Sequence, residues 1–191
     1  MPEQNDTLKF QGNAQNTCTR SDGRNLPKEW LHNRNNAKYV TNNKELKSID
    51  YNNVDYVMGL FANNHMSYNS LRNRESDGEP SITDMTIAAI KILNNKSNKN
   101  GFVLMVEGGK IDQAHHQNLA KMALEEFVEF ENAIEEAVKM SGEDTLIIVT
   151  SDHGHSMVFN GHAERGNDIL GKIYNLFTFL IKISLHNYIN S

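Results

Sequence analysis

A chain of 191 residues with 38% apolar side chains can fill the core of one ordinary domain. Its 24 acidic and 19 basic residues leave a formal charge of −5 and no Lys/Arg stripe, so neither nucleic acid nor an anionic membrane surface is expected as a direct partner. A single cysteine, Cys18, excludes an internal disulfide and a zinc site built on thiolates alone.

Residues 1–19, and the stretch on to Asn25, are rich in Asn, Gln, Thr and Gly without any period and read as a loop or disordered terminus. Met1 is followed by polar residues, not by a basic and then an apolar stretch, so no secretory leader is expected here. Pro27 suits the first turn of a short helix over Pro27–Asn33, with Trp30 and Leu31 as its apolar face. Brief strands are expected at Tyr39–Val40 and Tyr56–Phe61, and then Ala62 leads into a polar loop, Asn63–Gly78. Ser81 with Asp84 forms a capping-box pattern ahead of a helix carrying Ile82, Met85, Ala89, Ile90 and Leu93 at helical spacing.

Gly101 opens an apolar run, Phe102–Val106, that reads as a buried strand, and Leu146–Val149 reads as another. Between them the spacing of Leu119, Ala123, Phe127, Phe130, Ile134 and Ala137 predicts one long amphipathic helix over Gln113–Met140. Strand, long crossover and strand make a βαβ unit, so the expected class is α/β, a mostly parallel sheet with helices on both faces. The core is expected mainly from the periodic segments between Ile82 and Val149. Ligands of such sheets sit beyond the carboxyl ends of the strands. The apolar stretch Ile173–Ile183, interrupted by Asn175, Thr178 and Lys182, is too short to span a bilayer.

Both apolar runs end in polar clusters at that edge. After Val106 come Glu107, Gly108, Gly109, Lys110, Ile111, Asp112, Gln113, Ala114, His115 and His116; after Val149 come Thr150, Ser151, Asp152, His153, Gly154 and His155. Asp112 and His116 are four apart, so a helical turn points both to one side, and a carboxylate with an imidazole is a donor set that suits zinc better than magnesium or calcium. The same pair also fits an ordinary helix start with an acidic first turn. Asp152 and His153 can share an ion where the backbone turns sharply, and His155, pointing back, can hold a ligating carboxylate in place. Glu107, beside two glycines that let the chain turn tightly, suits magnesium. His32, His65, His115, His162 and His186 are given no role.

Together these strings resemble the central part of an animal-type alkaline phosphatase catalytic domain. The resemblance is carried by RSDGRNLPKEWL (Arg20 to Leu31), YVMGLFANNHMSY (Tyr56 to Tyr68), GFVLMVEGGKIDQAHH (Gly101 to His116), EDTLIIVTSDHGH (Glu143 to His155) and the stretch from Phe159 to Gly171. Phosphodiesterases, sulfatases and cofactor-independent phosphoglycerate mutases share the Asp-x3-His and Asp-His pieces, but Glu107 and the flanking strings argue against them. The resemblance implies an incomplete copy of the alkaline phosphatase fold over residues 20–171, followed by a divergent tail over 172–191.

It further implies hydrolysis of small phosphate monoesters by two zinc ions and one magnesium, through a serine attack and a phosphoseryl intermediate. By position, Asp112 and His116 match ligands of the first zinc, Asp152 and His153 ligands of the second, and Glu107 a magnesium ligand. His155 matches a histidine that supports the first site without touching the ion. A homodimer, a cell-surface or extracellular location and a GPI-type lipid anchor are also implied, although no leader or anchor signal is expected in these residues. Asn5-Asp-Thr and Asn95-Lys-Ser are glycosylation acceptors on a secretory route.

The chain departs from the family at several points. The nucleophile's Asp-Ser-Ala motif has no counterpart, because no Asp-Ser pair occurs anywhere in the sequence. The phosphate-clamping arginine, the aspartate shared between zinc and magnesium, a further magnesium ligand and the last histidine of the first zinc site also lack counterparts. Lys110 stands where the family often has arginine, and Ala62 stands where a glutamate ligand of the family's calcium site, in the region Leu60–Pro80, is expected. The alternative expectation is therefore a catalytically inactive metal-binding or interaction module derived from this family.

Overall fold

The computed structural model describes residues 21–94, 99–158, 161 and 165–170. The expected terminal segments 1–19 and 172–191, Cys18, both glycosylation acceptors, His162, His186 and the stretch Ile173–Ile183 lie outside the described residues.

Helix α1 (Leu26–His32) starts where the sequence predicts, with Pro27 in its first turn and the Asn25 side chain accepting from the Lys28 amide. Strands β1 (Ala37–Val40) and β2 (Tyr56–Gly59) pair in parallel, Ala37 opposite Tyr56 and Val40 opposite Gly59. Between them lies a short helix that the sequence reading did not foresee, α2 (Asn43–Lys47). The Asn42 side chain caps it by accepting from Glu45 N–H, and the Glu45 carboxylate reaches back to the Thr41 amide at 2.7 Å. The capping box of α3 (Ile82–Leu93) is present in both directions.

The expected helix over Gln113–Met140 is instead two helices, α4 (Lys110–His116) and α5 (Ala120–Met140). Asn118 breaks it. Its φ of 55° places it in the left-handed region, which asparagine tolerates better than most side chains. The Leu119 amide then closes back on the Ala114 carbonyl at 2.9 Å.

The described chain is α/β, with a parallel two-stranded sheet and helices. The runs Phe102–Val106 and Leu146–Val149, however, are not strands: among the described residues neither has a ladder partner. An apolar pattern signals a segment that suits a strand with neighbours on both sides, but only a second backbone makes it one. Val103 is 96% exposed and Leu146 83%. The core accordingly lies elsewhere than expected, in a cluster of Val40, Leu46, Ile49, Val54, Phe61 and Ala88, with Tyr51, Val57, Met66 and Met85 packed against it. Only α3 links that cluster to the expected core region.

The loop Asn63–Gly78 is fastened at both ends. Asn69 donates its backbone N–H to the buried Glu126 carboxylate of α5, while Gly78 O and Ser76 O accept from Asn43 and Lys44 at the start of α2. A Cβ added at Gly78 would lie 2.1 Å from the Asn73 carbonyl oxygen, so the backbone would have to open. Gly78→Ala is expected to destabilise the fold by about 1–3 kcal/mol in urea unfolding. A change below about 0.5 kcal/mol, the range of ordinary surface substitutions, would contradict this clasp.

Candidate metal centre

Helix α4 begins directly after the two glycines, and each glycine has its own reason. A Cβ at Gly108 would lie 3.2 Å from Phe130 of α5, and one at Gly109 would lie 3.2 Å from Glu107 Oε1. The first lets α4 approach α5, and the second makes room for the Glu107 carboxylate. One turn of α4 then brings His116 Nε2 to 3.3 Å from Asp112 Oδ2.

The other side of the site comes from the segment after Thr150. Asn118, the residue that breaks the helix, donates Nδ2–H to Val158 O and accepts from Val158 N–H, both at 2.9 Å. This two-bond clamp holds the second polar cluster across the end of α4. As a result His153 Nε2 lies 3.6 Å and His155 Nε2 3.7 Å from Asp112 Oδ1. His155 packs its ring against His115, stacked at 5.3 Å, and edge-on to His116 at 4.5 Å. His115 is fixed in turn by a 2.8 Å contact of Nδ1 with Ile111 O.

Asp112 Oδ1 is buried and has no hydrogen-bond partner. Separations of 3.6 and 3.7 Å are too long for hydrogen bonds, so the nearby imidazoles do not satisfy it. His153 Nδ1 lies 2.8 Å from Gly154 O and His155 Nδ1 2.7 Å from Ser156 O. A nitrogen that donates to a carbonyl carries the proton, which in a neutral ring leaves Nε2 with a bare lone pair. An unpartnered anionic oxygen among bare imidazole nitrogens costs about 1–3 kcal/mol or more as it stands, and it is the arrangement a cation relieves.

Asp112, His116 and His155 offer ligand atoms that all lie within 4.8 Å of one another, close enough for a group that could hold a metal ion. This is wider than the roughly 3.3–3.5 Å between the ligands of a tetrahedral zinc, so the side chains would have to draw together on one. The donor chemistry, carboxylate with imidazole, suits zinc.

The other expected site residues are placed as follows. Asp152, 88% exposed, accepts from the His153 amide, and its Oδ2 lies 3.5 Å from His153 Nε2, so these two face each other as a pair. The Gly154 carbonyl, then the Asp152 carboxylate, hold the His153 pKa above its ordinary value, and Asp112 adds to this. Glu107 is exposed and stands outside the Asp112 group. Lys110 donates to Gln113 Oε1 at 2.7 Å and sits 4.0 Å over the Tyr68 ring; burial lowers its pKa while Glu126 and Glu79 oppose this. Gln113 also meets His65 at 2.8 Å, tying the polar loop to α4.

Sequence reasoning missed Asn118, the buried Glu126, and the packing role of His115. The only available signal for Asn118 was an asparagine inside a helical period, which is weak.

Comparison with known proteins gives a consistent answer. The alkaline phosphatase family model matches residues 3–190. Alkaline phosphatase 4 of Drosophila melanogaster is 49% identical over 170 residues, covering 86% of this chain, and the membrane-bound alkaline phosphatase of Bombyx mori is 40% identical over 176 residues, covering 90%. The chain spans 28% of the first and 31% of the second. The crystal structure of Thermus thermophilus alkaline phosphatase superposes with a TM-score of 0.52 at 28% identity, over 62% of this chain and 24% of that one. This chain belongs to the alkaline phosphatase family.

Proposed function

We propose that residues 20–171 form the metal-holding part of a phosphomonoester hydrolase, with Asp112 and His116 at a first zinc, Asp152 and His153 at a second, and Glu107 at a magnesium. The observation that carries this reading is the buried, unpartnered Asp112 Oδ1 facing imidazole nitrogens. Family membership supplies the reaction, and the donor chemistry supplies the metals.

In this reading Asp112 brings the negative charge, and α4 presents His116 beside it. The carbonyls of Gly154 and Ser156 fix the tautomers of His153 and His155, and the Asn118–Val158 clamp keeps those rings in place. When bound, the ions lower the pKa of an attacking water and neutralise charge on the phosphoryl group. The substrates are small phosphate monoesters. The membrane-bound name of the Bombyx relative supports a cell-surface location, with a lipid anchor and a homodimer as further parts of the proposal. Among the described residues no helix is long and apolar enough to cross a membrane.

A second reading is a catalytically inactive metal-binding module derived from this family. One experiment separates the two. This chain is exchanged for the matching 170 residues of the Drosophila protein, and the chimera is assayed with p-nitrophenyl phosphate. Turnover is expected, and Glu107→Gln in the chimera is expected to raise the magnesium needed for half-maximal rate by roughly 10-fold or more while most zinc stays bound. A folded, zinc-loaded chimera without turnover would favour the inactive module. Equal loss of both metals on Glu107→Gln would remove Glu107 from the magnesium site.

A further inference from the structure

We propose that the loop Asn63–Gly78 is a proton-controlled strap, latched on α5 by Asn69 and loosened when Glu126 ionises. The proposal stands apart from the metal-dependent reading, since it uses none of the residues assigned there to an ion.

Asn69 is the latch because all three of its donor and acceptor groups that face the strap and α5 are engaged. Its backbone N–H donates to Glu126 Oε1 at 2.5 Å and its side-chain N–H to Glu129 Oε2 at 3.3 Å, while its side-chain oxygen accepts from the Arg72 guanidinium at 3.3 Å. Ser70 adds a 3.1 Å contact with Met122 of α5. His65 and Tyr68 carry the strap on to Gln113 and Lys110 of α4, so loosening it frees the outer side of that helix too.

Glu126 is the weak point. It is 9% exposed, and a carboxylate held charged away from water needs several donors or a paired cation. Glu126 has the Asn69 N–H, and among the described residues no cation is paired with it. Lys110 of α4 attracts it from a distance, but that ammonium is spent on Gln113 and the Tyr68 ring. Glu129 and Glu125, its neighbours on α5, repel its charge, and the Tyr68 hydroxyl of the strap is buried without a partner. Glu79, at the foot of the strap, acts on Lys110; from α3, Thr83 bonds Glu129 and Asp84 pairs with Lys47. Burial, with both glutamates, outweighs Asn69 and Lys110 and raises the Glu126 pKa above its ordinary value.

Opening the strap returns Glu126 to water, where it is an ordinary carboxylic acid. The closed form therefore holds the proton more tightly than the open form. Its advantage is fully present below the ordinary glutamate value of about 4.3 and is lost as pH rises through the raised closed-state value.

Hydrogen exchange of the 191-residue chain, followed by NMR and corrected for intrinsic amide chemistry, tests this from about pH 4.5 to about pH 8. Protection of the Asn69 amide is expected to fall by about threefold or more across that range, while the β1–β2 ladder amides beside the Val40 cluster stay level. Glu126→Gln keeps an acceptor for Asn69 and cannot ionise, so its Asn69 protection should be flat and match the wild type at low pH. An unprotected Asn69 amide at low pH, or a wild-type profile that is level or rises with pH, would overturn the proposal without recourse to the variant. So would a Glu126→Gln chain with the wild-type slope, or a parallel loss at the ladder, which would mean global unfolding.

Discussion

The 191-residue chain, purified and loaded with zinc and magnesium, is expected to hydrolyse p-nitrophenyl phosphate at no more than background rate, while the chimera turns it over. Catalysis of phosphoryl transfer is mostly positioning and electrostatic stabilisation, and an arginine aimed at the transferring group can alone contribute about 10³–10⁵ in rate. No cation in the described site is free for that work: Lys110 is committed to Gln113 and to the Tyr68 ring. Ser151 and Ser156 flank the metal cluster, but neither serine follows an aspartate. Steady-state assay of the metal-loaded chain checks this. Robust turnover that disappears on Asp152→Ala would overturn it and make one of these serines the nucleophile.

The second large effect is expected at Asp112, the one carboxylate that three imidazoles face. Asp112→Ala should weaken zinc binding by at least about 10–100-fold, the range for losing even a supporting residue around a metal. Asp112→Asn should weaken zinc as well. In the absence of metal, however, Asp112→Asn is expected to stabilise the chain by about 1 kcal/mol, because an amide N–H can donate to a bare imidazole nitrogen where the carboxylate oxygen has no partner. Urea unfolding in chelator and in zinc separates these contributions. An Asp112→Asn chain that is less stable without metal would mean that Oδ1 is satisfied in solution.

The local pairings were legible because they depend on neighbours along the chain. Asp112 and His116 sit four apart on one helix, Ser81 and Asp84 box the start of α3, and both patterns survive whatever the rest of the chain does. What failed depended on distant partners. The runs Phe102–Val106 and Leu146–Val149 have the composition of buried strands, but composition cannot supply a neighbouring backbone, and the core formed around Val40 and Phe61 instead. The long helix was overread because an apolar period continues through Asn118, although one left-handed residue is enough to turn the chain. That same turn, through the Asn118–Val158 clamp, holds the segment that carries His153 and His155. Glu126 was invisible for a related reason: a glutamate on a helix reads as a solvated face until a loop, here at Asn69, donates to it.

The claim that Asp112 anchors a zinc centre is tested most directly by diffraction from crystals of the zinc-loaded chain at the zinc absorption edge. An anomalous peak is expected within about 2.2 Å of an Asp112 carboxylate oxygen and of His116 Nε2. Loaded crystals with no peak there, or with Asp112 Oδ1 hydrogen-bonded to protein and zinc bound elsewhere, would contradict it.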